Sequence, residues 1–288
     1  MRSYTIVTDS GCDLNRELLS SWGVRSADLT FRFDDSNREY VNGDMDISEF
    51  YRKMRAGGRP QTAAVNVEAF RVAFEQELKN GNDILYIGLS SGLSNTYNAG
   101  QIAAKELSEE WPDRSIITLD TLCASAGLGM LVYMAKQEKD AGASVTEAAQ
   151  YIMEKCPNVC HWYTVDDLIY LKRGGRISAT TAFAATVLGI RPVMHMNDEG
   201  KLENVLKVRG RKRAIRELAD RYMSFARDTE NGIYFISHGD CYEDAKQLEN
   251  LIFEKTGHKA TIITDVSPVI GSHSGPGTLA LFFIGEER

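Results

Sequence analysis

Short apolar runs alternate with amphipathic stretches along the first half of the chain. The runs 5–8, 84–87 and 115–119 have the length and apolar character of buried strands. Between them, Val67, Phe70, Phe74 and Leu78 recur at helical spacing, and Asn66 stands where a helix N-cap is expected. The pattern also predicts helices over 13–22 (with Asp13 as its cap), 96–111 and 124–139. This strand–helix alternation predicts a parallel sheet with helices on both faces.

The second half of the chain has a different pattern. A strand at 162–165 is followed by a short helix at 168–172, which Gly174 and Gly175 end, and by an unusually apolar helix at 178–188. The runs 192–196 and 202–208 flank a turn and predict a β-hairpin. Helices at 211–227 and 243–255 then alternate with strands at 232–237, 260–266 and 278–284. We therefore predict an α/β domain over residues 1–158 and an α+β domain with a mixed sheet over 159–288.

Composition and charge narrow the classes of function. The chain has 288 residues, of which 43% are hydrophobic and 25% are charged, as in ordinary globular proteins. A net charge of −7 argues against a general nucleic-acid binder. The N-terminus begins without an apolar signal segment, the longest smooth apolar stretch is too short to span a bilayer, and the five cysteines are not closely paired. We expect a cytoplasmic protein with reduced thiols and no membrane span.

Two hydroxyl-rich segments are the most informative chemical feature. Residues 60–64 contain Thr62 and precede a predicted helix, and residues 88–97 contain Ser94 and lead from a predicted strand into another helix. The first N–H groups of a helix lack partners and carry the positive end of its dipole, so such junctions favour anions. A small anion or a ligand carboxylate is the expected occupant. A serine at such a position is also an ordinary N-cap.

The segment from Gly88 to Gly92 also matches the Gly-x-Ser-x-Gly nucleophile elbow of serine hydrolases. Ser90 would be the nucleophile, and Asp265 and His273 follow in the order of a hydrolase triad. Against this interpretation, an elbow serine directly enters its helix, whereas four loop-like residues follow Ser90. A serine hydrolase is kept as the alternative function.

The remaining motifs indicate neither a metal nor a nucleotide site. Cys156, Cys160 and His161 lack a second ligand pair and the spacing of a zinc site, so we predict no metal. The segment 271–277 is a predicted Gly-rich loop around His273. It lacks the Gly-Lys-Ser/Thr ending and the following helix of a phosphate-binding P-loop, so we predict no cofactor.

Taken together, several ordered segments resemble the DegV family of bacterial fatty-acid-binding proteins, which includes the acyl-carrying subunit of fatty acid kinase. The resemblance covers nearly the whole chain. It rests on Thr8-Asp9-Ser10, Pro60-Gln61-Thr62, Ser91-Gly92-Leu93-Ser94-Asn95-Thr96-Tyr97, Ser125-Ala126-Gly127-Leu128-Gly129, Leu171-Lys172-Arg173-Gly174-Gly175-Arg176-Ile177-Ser178, Ile190-Arg191-Pro192-Val193 and His273-Ser274-Gly275-Pro276-Gly277.

The resemblance implies a two-domain carrier, not an enzyme, with one long-chain fatty acid between its domains. It places the carboxylate-binding hydroxyls on Thr62 and Ser94 and a head-group histidine on His273. It also implies a separate ATP-dependent kinase that phosphorylates the bound acid. The sequence departs from the family pattern at Ala63, where the family usually has Ser, and at Asn95, where it has Gly.

Two further expectations complete this interpretation. The apolar helix at 179–188 is our first candidate for the wall of the acyl tunnel, and residues 124–135 are the second. Exposed arginines, above all Arg173 and Arg209, are candidates for a basic rim that docks the kinase, and Arg176, Arg211 and Arg213 are further candidates. A sugar-binding protein of the dihydroxyacetone-kinase type is a third candidate function.

Overall fold

A computed structural model describes residues 2–178 and 189–288. Its first layer is a four-stranded, all-parallel sheet in the order β2-β1-β6-β7, as the strand–helix alternation predicts. The strands are β1 (Tyr4–Asp9), β2 (Arg25–Ala27), β6 (Asp83–Gly88) and β7 (Ile116–Asp120). Strands β1 and β6 are buried along their whole length, which is typical of a parallel sheet covered on both faces.

Six helices accompany this first sheet. They are α1 (Arg16–Ser21), α2 (Ile47–Arg55), α3 (Val67–Lys79), α4 (Thr96–Glu110), α5 (Ser125–Asp140) and α6 (Val145–Lys155). Side-chain caps are present at three of them, and the one at Asn66 confirms the prediction from the sequence. Asp46 accepts hydrogen bonds from the first turn of α2, Asn66 caps α3, and Ser144 forms a capping box with Glu147 at α6.

A small antiparallel sheet, which the sequence did not predict, lies beside the first one. It consists of β3 (Thr30–Phe33), β4 (Tyr40–Val41) and β5 (Pro60–Ala63) in the order β4-β3-β5. Thr62 therefore lies on a strand, paired with Phe31, and not at a helix N-terminus. The next helix, α3, begins only at Val67. The predicted helix-end anion site at Thr62 is wrong.

The second large sheet is mixed and six-stranded, in the order β10-β9-β8-β13-β11-β12. Its strands are β8 (Val159–Thr164), β9 (Ile190–Met196), β10 (Leu202–Arg209), β11 (Tyr234–His238), β12 (Ile262–Asp265) and β13 (Leu279–Ile284). The predicted hairpin is β9–β10. The described residues of this half form four helices: α7 (Ile169–Arg173), α8 (Arg211–Phe225), α9 (Tyr242–Thr256) and α10 (Pro268–Ser274).

The two faces of the mixed sheet pack against different partners. On one face, Leu279 and Leu281 share a buried cluster with Leu218 of α8 and Leu248 of α9. On the other face, Tyr163 and Phe282 join the core of the N-terminal half. The space between the mixed sheet and the N-terminal half is the one that the sequence assigned to a ligand. The domain boundary at residue 158 stays a prediction, and it falls between β7 and β8.

Two local predictions are corrected. Helix α1 begins at Arg16 and its cap is Asn15. Asp13 instead takes a left-handed backbone with φ 52°, is buried, and accepts hydrogen bonds from the hydroxyls of Ser125 and Ser267. The predicted loop around His273 is wrong as well, because residues Pro268–Ser274 form α10. The predicted apolar helix at 178–188 falls almost entirely on residues 179–188, which lie outside the described residues.

Candidate functional site: an apolar cavity with a polar end

A cavity of about 990 Å³, counted with its open mouth, lies between the mixed sheet and the N-terminal half. Its apolar lining comes from both halves of the chain: Leu29, Ala64, Leu89, Leu93, Ala124, Leu171, Met196, Leu202, Val266, Val269, Ile270, Ala280 and Phe282. Residues that carry polar groups also line it: Thr62, Ser94, Asn95, Ser125, His161, Tyr163, Arg176, His273, Ser274 and Thr278.

Thr62 and His273 meet at this cavity. Strand β5 presents Thr62 and helix α10 presents His273, and Oγ1 of Thr62 lies 2.8 Å from Nε2 of His273. Burial, reinforced by the positive charge of Arg176, lowers the pKa of His273 to about 4. The imidazole is therefore neutral at physiological pH and can donate one proton to the threonine oxygen.

The glycine at the end of α7 makes room for this imidazole. A Cβ atom built on Gly174 would lie 2.1 Å from Nδ1 of His273, well inside van der Waals contact. Gly174 has an ordinary helical backbone, with φ −71°, so the requirement for glycine is steric. The sequence motif around Gly174 is thus coupled to the histidine by direct contact.

Ser94 is presented by the loop that leads into α4. Its Oγ accepts a hydrogen bond from the backbone N–H of Thr96 (3.2 Å) and lies 2.9 Å from the Thr96 hydroxyl. Ser94 is thus bonded at the helix N-terminus, as predicted, although the N-cap position itself is taken by Asn95. Thr96 is fully buried, whereas Ser94 and Asn95 line the cavity.

Arg176 supplies positive charge at the same end of the cavity. Its Nε and Nη2 donate to the backbone oxygen of Leu93 at 3.1 and 2.9 Å, and Nη1 donates to the oxygen of Gly174. These bonds tie the segment after α7 to the loop that carries Ser94. The sequence placed Arg176 on an outer rim, but the structure places it in the cavity lining, where it acts on the pKa of His273.

The residues of the hydrolase alternative do not come together. Ser90 is fully buried, and its hydroxyl donates to the backbone oxygen of Gly200 at 2.9 Å. His273 bonds Thr62, and Asp265 lies beside His238 at 3.5 Å. The geometry therefore provides Ser90 with neither the base nor the orienting carboxylate that a hydrolase needs.

The two rim arginines lie on the surface. Arg173 ends α7 and Arg209 ends β10, and both are exposed. Arg211 is instead engaged in ion pairs with Asp244 and Asp166. Of the two predicted tunnel walls, α5 contributes only its start, through Ala124 and Ser125.

Sequence reasoning missed the floor of the cavity. His161 and Tyr163 on β8, with Ala280 and Phe282 on β13, line it from adjacent positions of the mixed sheet. His161 accepts from the N–H of Ala124 and donates to the oxygen of Val159, so both of its ring nitrogens are paired within the protein. Successive side chains of β8 and β13 point to opposite faces of the sheet, and this alternation is the signal in the sequence that could have identified the lining residues.

The described residues contain neither a metal-binding cluster nor a membrane-spanning helix. Across 2–178 and 189–288, no group of three or more His, Cys, Asp or Glu side chains is placed to hold a metal ion. Over the same residues, no helix is both long enough and apolar enough to cross a bilayer.

Comparisons with known proteins agree with this architecture. The family model described as the DegV family matches residues 3–286. A DegV domain-containing protein from Clostridium perfringens is 40% identical over 100% of this chain and 99% of its own length.

Solved structures share the whole fold. A DegV family protein from Thermus thermophilus, described as binding fatty acid, is 28% identical with a TM-score of 0.88, covering 99% of this chain and 100% of its own. A fatty-acid-binding DegV family protein from Streptococcus agalactiae is 27% identical with a TM-score of 0.84, and each chain is covered completely. The chain belongs to the DegV family.

Proposed function

We propose that this protein is a carrier that holds one long-chain fatty acid in the cavity and presents its carboxylate to a separate kinase. The observation that carries the proposal is the cavity itself, which is apolar over most of its surface and has Thr62, Ser94, His273 and Arg176 among its lining. Relatives of the same fold are described as fatty-acid-binding proteins.

Each of the two hydroxyls is prepared to donate to an anion. When Nε2–H of His273 donates to Oγ1 of Thr62, the threonine O–H is free to donate to the ligand carboxylate. Ser94 is supported in the same way, because its Oγ accepts from the N–H of Thr96. The proposed head-group site thus presents two donors, while neutral His273 positions one of them and Arg176 supplies a positive field.

Burial of the acyl tail provides most of the binding free energy, and the polar contacts of the carboxylate set the orientation of the ligand. Burying a C16 tail contributes about 0.8 kcal/mol per methylene, or roughly 12 kcal/mol before the costs of association. A hydrogen bond to a charged carboxylate contributes about 1.5–3 kcal/mol. A carrier of this kind needs no nucleophile, and the buried, bonded Ser90 agrees with that role.

Presentation to a kinase is the second part of the proposal. Acyl phosphate and ATP are anionic, so exposed cations beside the cavity favour docking of a nucleotide-loaded partner. Arg173 directly precedes Gly174, whose backbone approaches His273, and it is exposed. Arg209 is exposed at the end of β10, two residues before Arg211, whose ion pair with Asp166 places this end of the strand beside the segment that leads into α7. We assign the rim to these two arginines and the working compartment to the cytoplasm.

Native mass spectrometry of the purified protein tests the ligand. We expect the protein to copurify with an added mass of one C14–C18 acid, which is lost after delipidation and regained when hexadecanoic acid is added. A protein that carries no such mass and takes up none on addition would refute the carrier function.

A further inference from the structure

The floor of the cavity carries a second polar feature, which the binding of a plain acyl chain does not use. Tyr163 and Ser274 both line the cavity, and each is more than nine-tenths buried, with exposures of 8% and 6%. Among the described residues, neither the Tyr163 hydroxyl nor the Ser274 hydroxyl has a hydrogen-bond partner. Other hydroxyls at the cavity are paired: Thr62 with His273, Ser94 with Thr96, and Thr278 with the oxygen of Gly275.

An unpaired buried hydroxyl is costly, so it points to a partner that the ligand supplies. A buried hydroxyl without a partner costs about as much as one or two net hydrogen bonds, and native proteins rarely leave such groups alone. Here two of them line the same, otherwise largely apolar cavity. Burial raises the pKa of Tyr163, so its hydroxyl stays protonated and can donate as well as accept.

The topology places both hydroxyls toward the head-group end of the cavity. Ser274 directly follows His273 on α10. Tyr163 is the last but one residue of β8, from which residues 165–168 lead into α7, the helix whose end contacts His273 through Gly174. His161, two positions earlier on the same face of β8, lies farther along, beside Ala124.

We propose that the preferred ligand is a long-chain fatty acid with a hydroxyl group on its carboxyl-proximal carbons, and that Tyr163, with Ser274, recognises this hydroxyl. This inference rests on the proposed fatty-acid function and deepens it. A ligand hydroxyl both donates and accepts, as do the two side chains, so it can pair with either of them. A plain acyl chain leaves them unpaired.

Binding of three C16 acids to delipidated protein tests the proposal: hexadecanoate, 3-hydroxyhexadecanoate and 16-hydroxyhexadecanoate. We expect the wild-type protein to bind the 3-hydroxy acid more tightly than the plain acid. The 16-hydroxy acid should bind more weakly, because its hydroxyl enters an apolar environment. In Tyr163→Phe, binding of the 3-hydroxy acid should weaken about 10-fold, equivalent to one net hydrogen bond, while binding of hexadecanoate stays within about twofold.

Several outcomes would overturn the assignment. One is a wild-type protein that binds the 3-hydroxy acid no more tightly than hexadecanoate. A second is a Tyr163→Phe variant that loses affinity for all three acids equally, since Tyr163 would then serve the carboxylate or the fold. A third is no effect of Tyr163→Phe on any acid, as when water satisfies its hydroxyl.

If Tyr163→Phe fails to fold, binding of the same three acids is compared between wild type and the matched variant Ser274→Ala. Thermal denaturation of both variants without ligand separates a folding defect from a binding defect. A wild-type protein that does not bind hexadecanoate at all would refute the carrier function itself, which distinguishes that failure from failure of the hydroxyl assignment.

Discussion

Oγ1 of Thr62 lies 2.8 Å from Nε2 of His273, although the two residues are 211 positions apart in the chain. The contact joins an edge strand of the small antiparallel sheet to a short helix of the C-terminal half. In the tautomer that carries its proton on Nε2, the imidazole donates to the threonine oxygen, and the threonine proton is then available to a ligand. The proposed head-group site therefore depends on the packing of the two halves and not on either alone.

Removing the Thr62 hydroxyl should weaken fatty-acid binding. In Thr62→Val the shape is kept and one donor to the carboxylate is lost, so we expect affinity for hexadecanoate to fall by about 1.5–3 kcal/mol, roughly 10- to 100-fold. Calorimetric titration of delipidated protein measures this. The control Thr62→Ser keeps the hydroxyl and should bind within a few-fold of wild type. Equal binding by all three proteins would show that the carboxylate does not bind here.

Adding one methyl group at Gly174 should displace the imidazole. The new Cβ in Gly174→Ala would lie 2.1 Å from Nδ1 of His273, so the ring must move away from Thr62. We expect weaker binding of hexadecanoate with little change in the helix itself, because alanine suits α7 better than glycine does.

Gly175→Asn is the matched control for this effect. Gly175 has φ 72° and open space around its Cα, and asparagine tolerates that conformation. Its binding should stay close to wild type. If Gly174→Ala also binds like wild type, His273 has no part in holding the head group.

The buried neutral His273 makes a defined contribution to the pH dependence of stability. Its pKa of about 4 lies below the value of an unfolded chain, so the unfolded state binds more protons between pH 6.5 and 4. The stabilising effect of the neutral ring is complete above pH 6.5 and is lost as the pH falls toward 4. The free energy of unfolding of wild type should fall, relative to His273→Gln, by about 3 kcal/mol over this interval.

Denaturant unfolding of both proteins without ligand, at pH 7 and pH 4, measures the difference. Taking the difference between the two proteins cancels the titration of groups elsewhere, including the other buried histidines. A difference that does not change with pH would mean that His273 titrates as it does in water.

Ser90 should prove structural and not catalytic. Its hydroxyl donates to the oxygen of Gly200 in the β9–β10 turn, and both residues are buried. Ser90→Ala leaves that oxygen without this donor, so we expect a loss of about 1–3 kcal/mol in the free energy of unfolding and unchanged affinity for hexadecanoate. Ser91→Ala is the control for a neighbouring serine whose side chain is only partly buried. Covalent labelling of wild type by a fluorophosphonate, abolished in Ser90→Ala, would instead support the hydrolase alternative.

Reversing the charge of Arg173 or Arg209 should separate fatty-acid binding from phosphorylation of the bound acid by the kinase. In Arg173→Glu and Arg209→Glu we expect unchanged binding of hexadecanoate, because both side chains are exposed, but slower acyl-phosphate formation with ATP and a purified bacterial fatty acid kinase subunit. Arg216→Glu reverses an equally exposed charge on α8, which covers the opposite face of the mixed sheet. Equal turnover by all four proteins would show that Arg173 and Arg209 do not help the kinase to dock.

The alternation of strands and helices was enough to predict the parallel sheet, the hairpin and most helices, because those elements carry a local periodic signal. The strand β5 has no such signal. Pro60-Gln61-Thr62-Ala63 is extended because it pairs with β3, about 30 residues earlier, and no local pattern encodes that pairing. Thr62 was therefore identified correctly as a cavity residue but assigned to the wrong kind of element.

Helix α10 was missed for a related reason. The glycine within it and the two that follow it indicate a loop, yet Gly271 is needed because a Cβ there would lie 2.6 Å from the hydroxyl of Tyr51. That hydroxyl donates to the oxygen of Val266 just before α10, so a long-range contact explains the choice of residue. Arg176 and Tyr163 were likewise not assigned to the cavity, since only the packing of the two halves turns them toward one space.

The crystal structure of the protein with its bound fatty acid tests the central claim most directly. We expect elongated electron density in the cavity, with one carboxylate oxygen within hydrogen-bond distance of Oγ1 of Thr62 and of Oγ of Ser94, and with the tail against Ala280 and Phe282. A carboxylate bound elsewhere, or a cavity filled by protein side chains with no room for an acyl chain, would contradict the account.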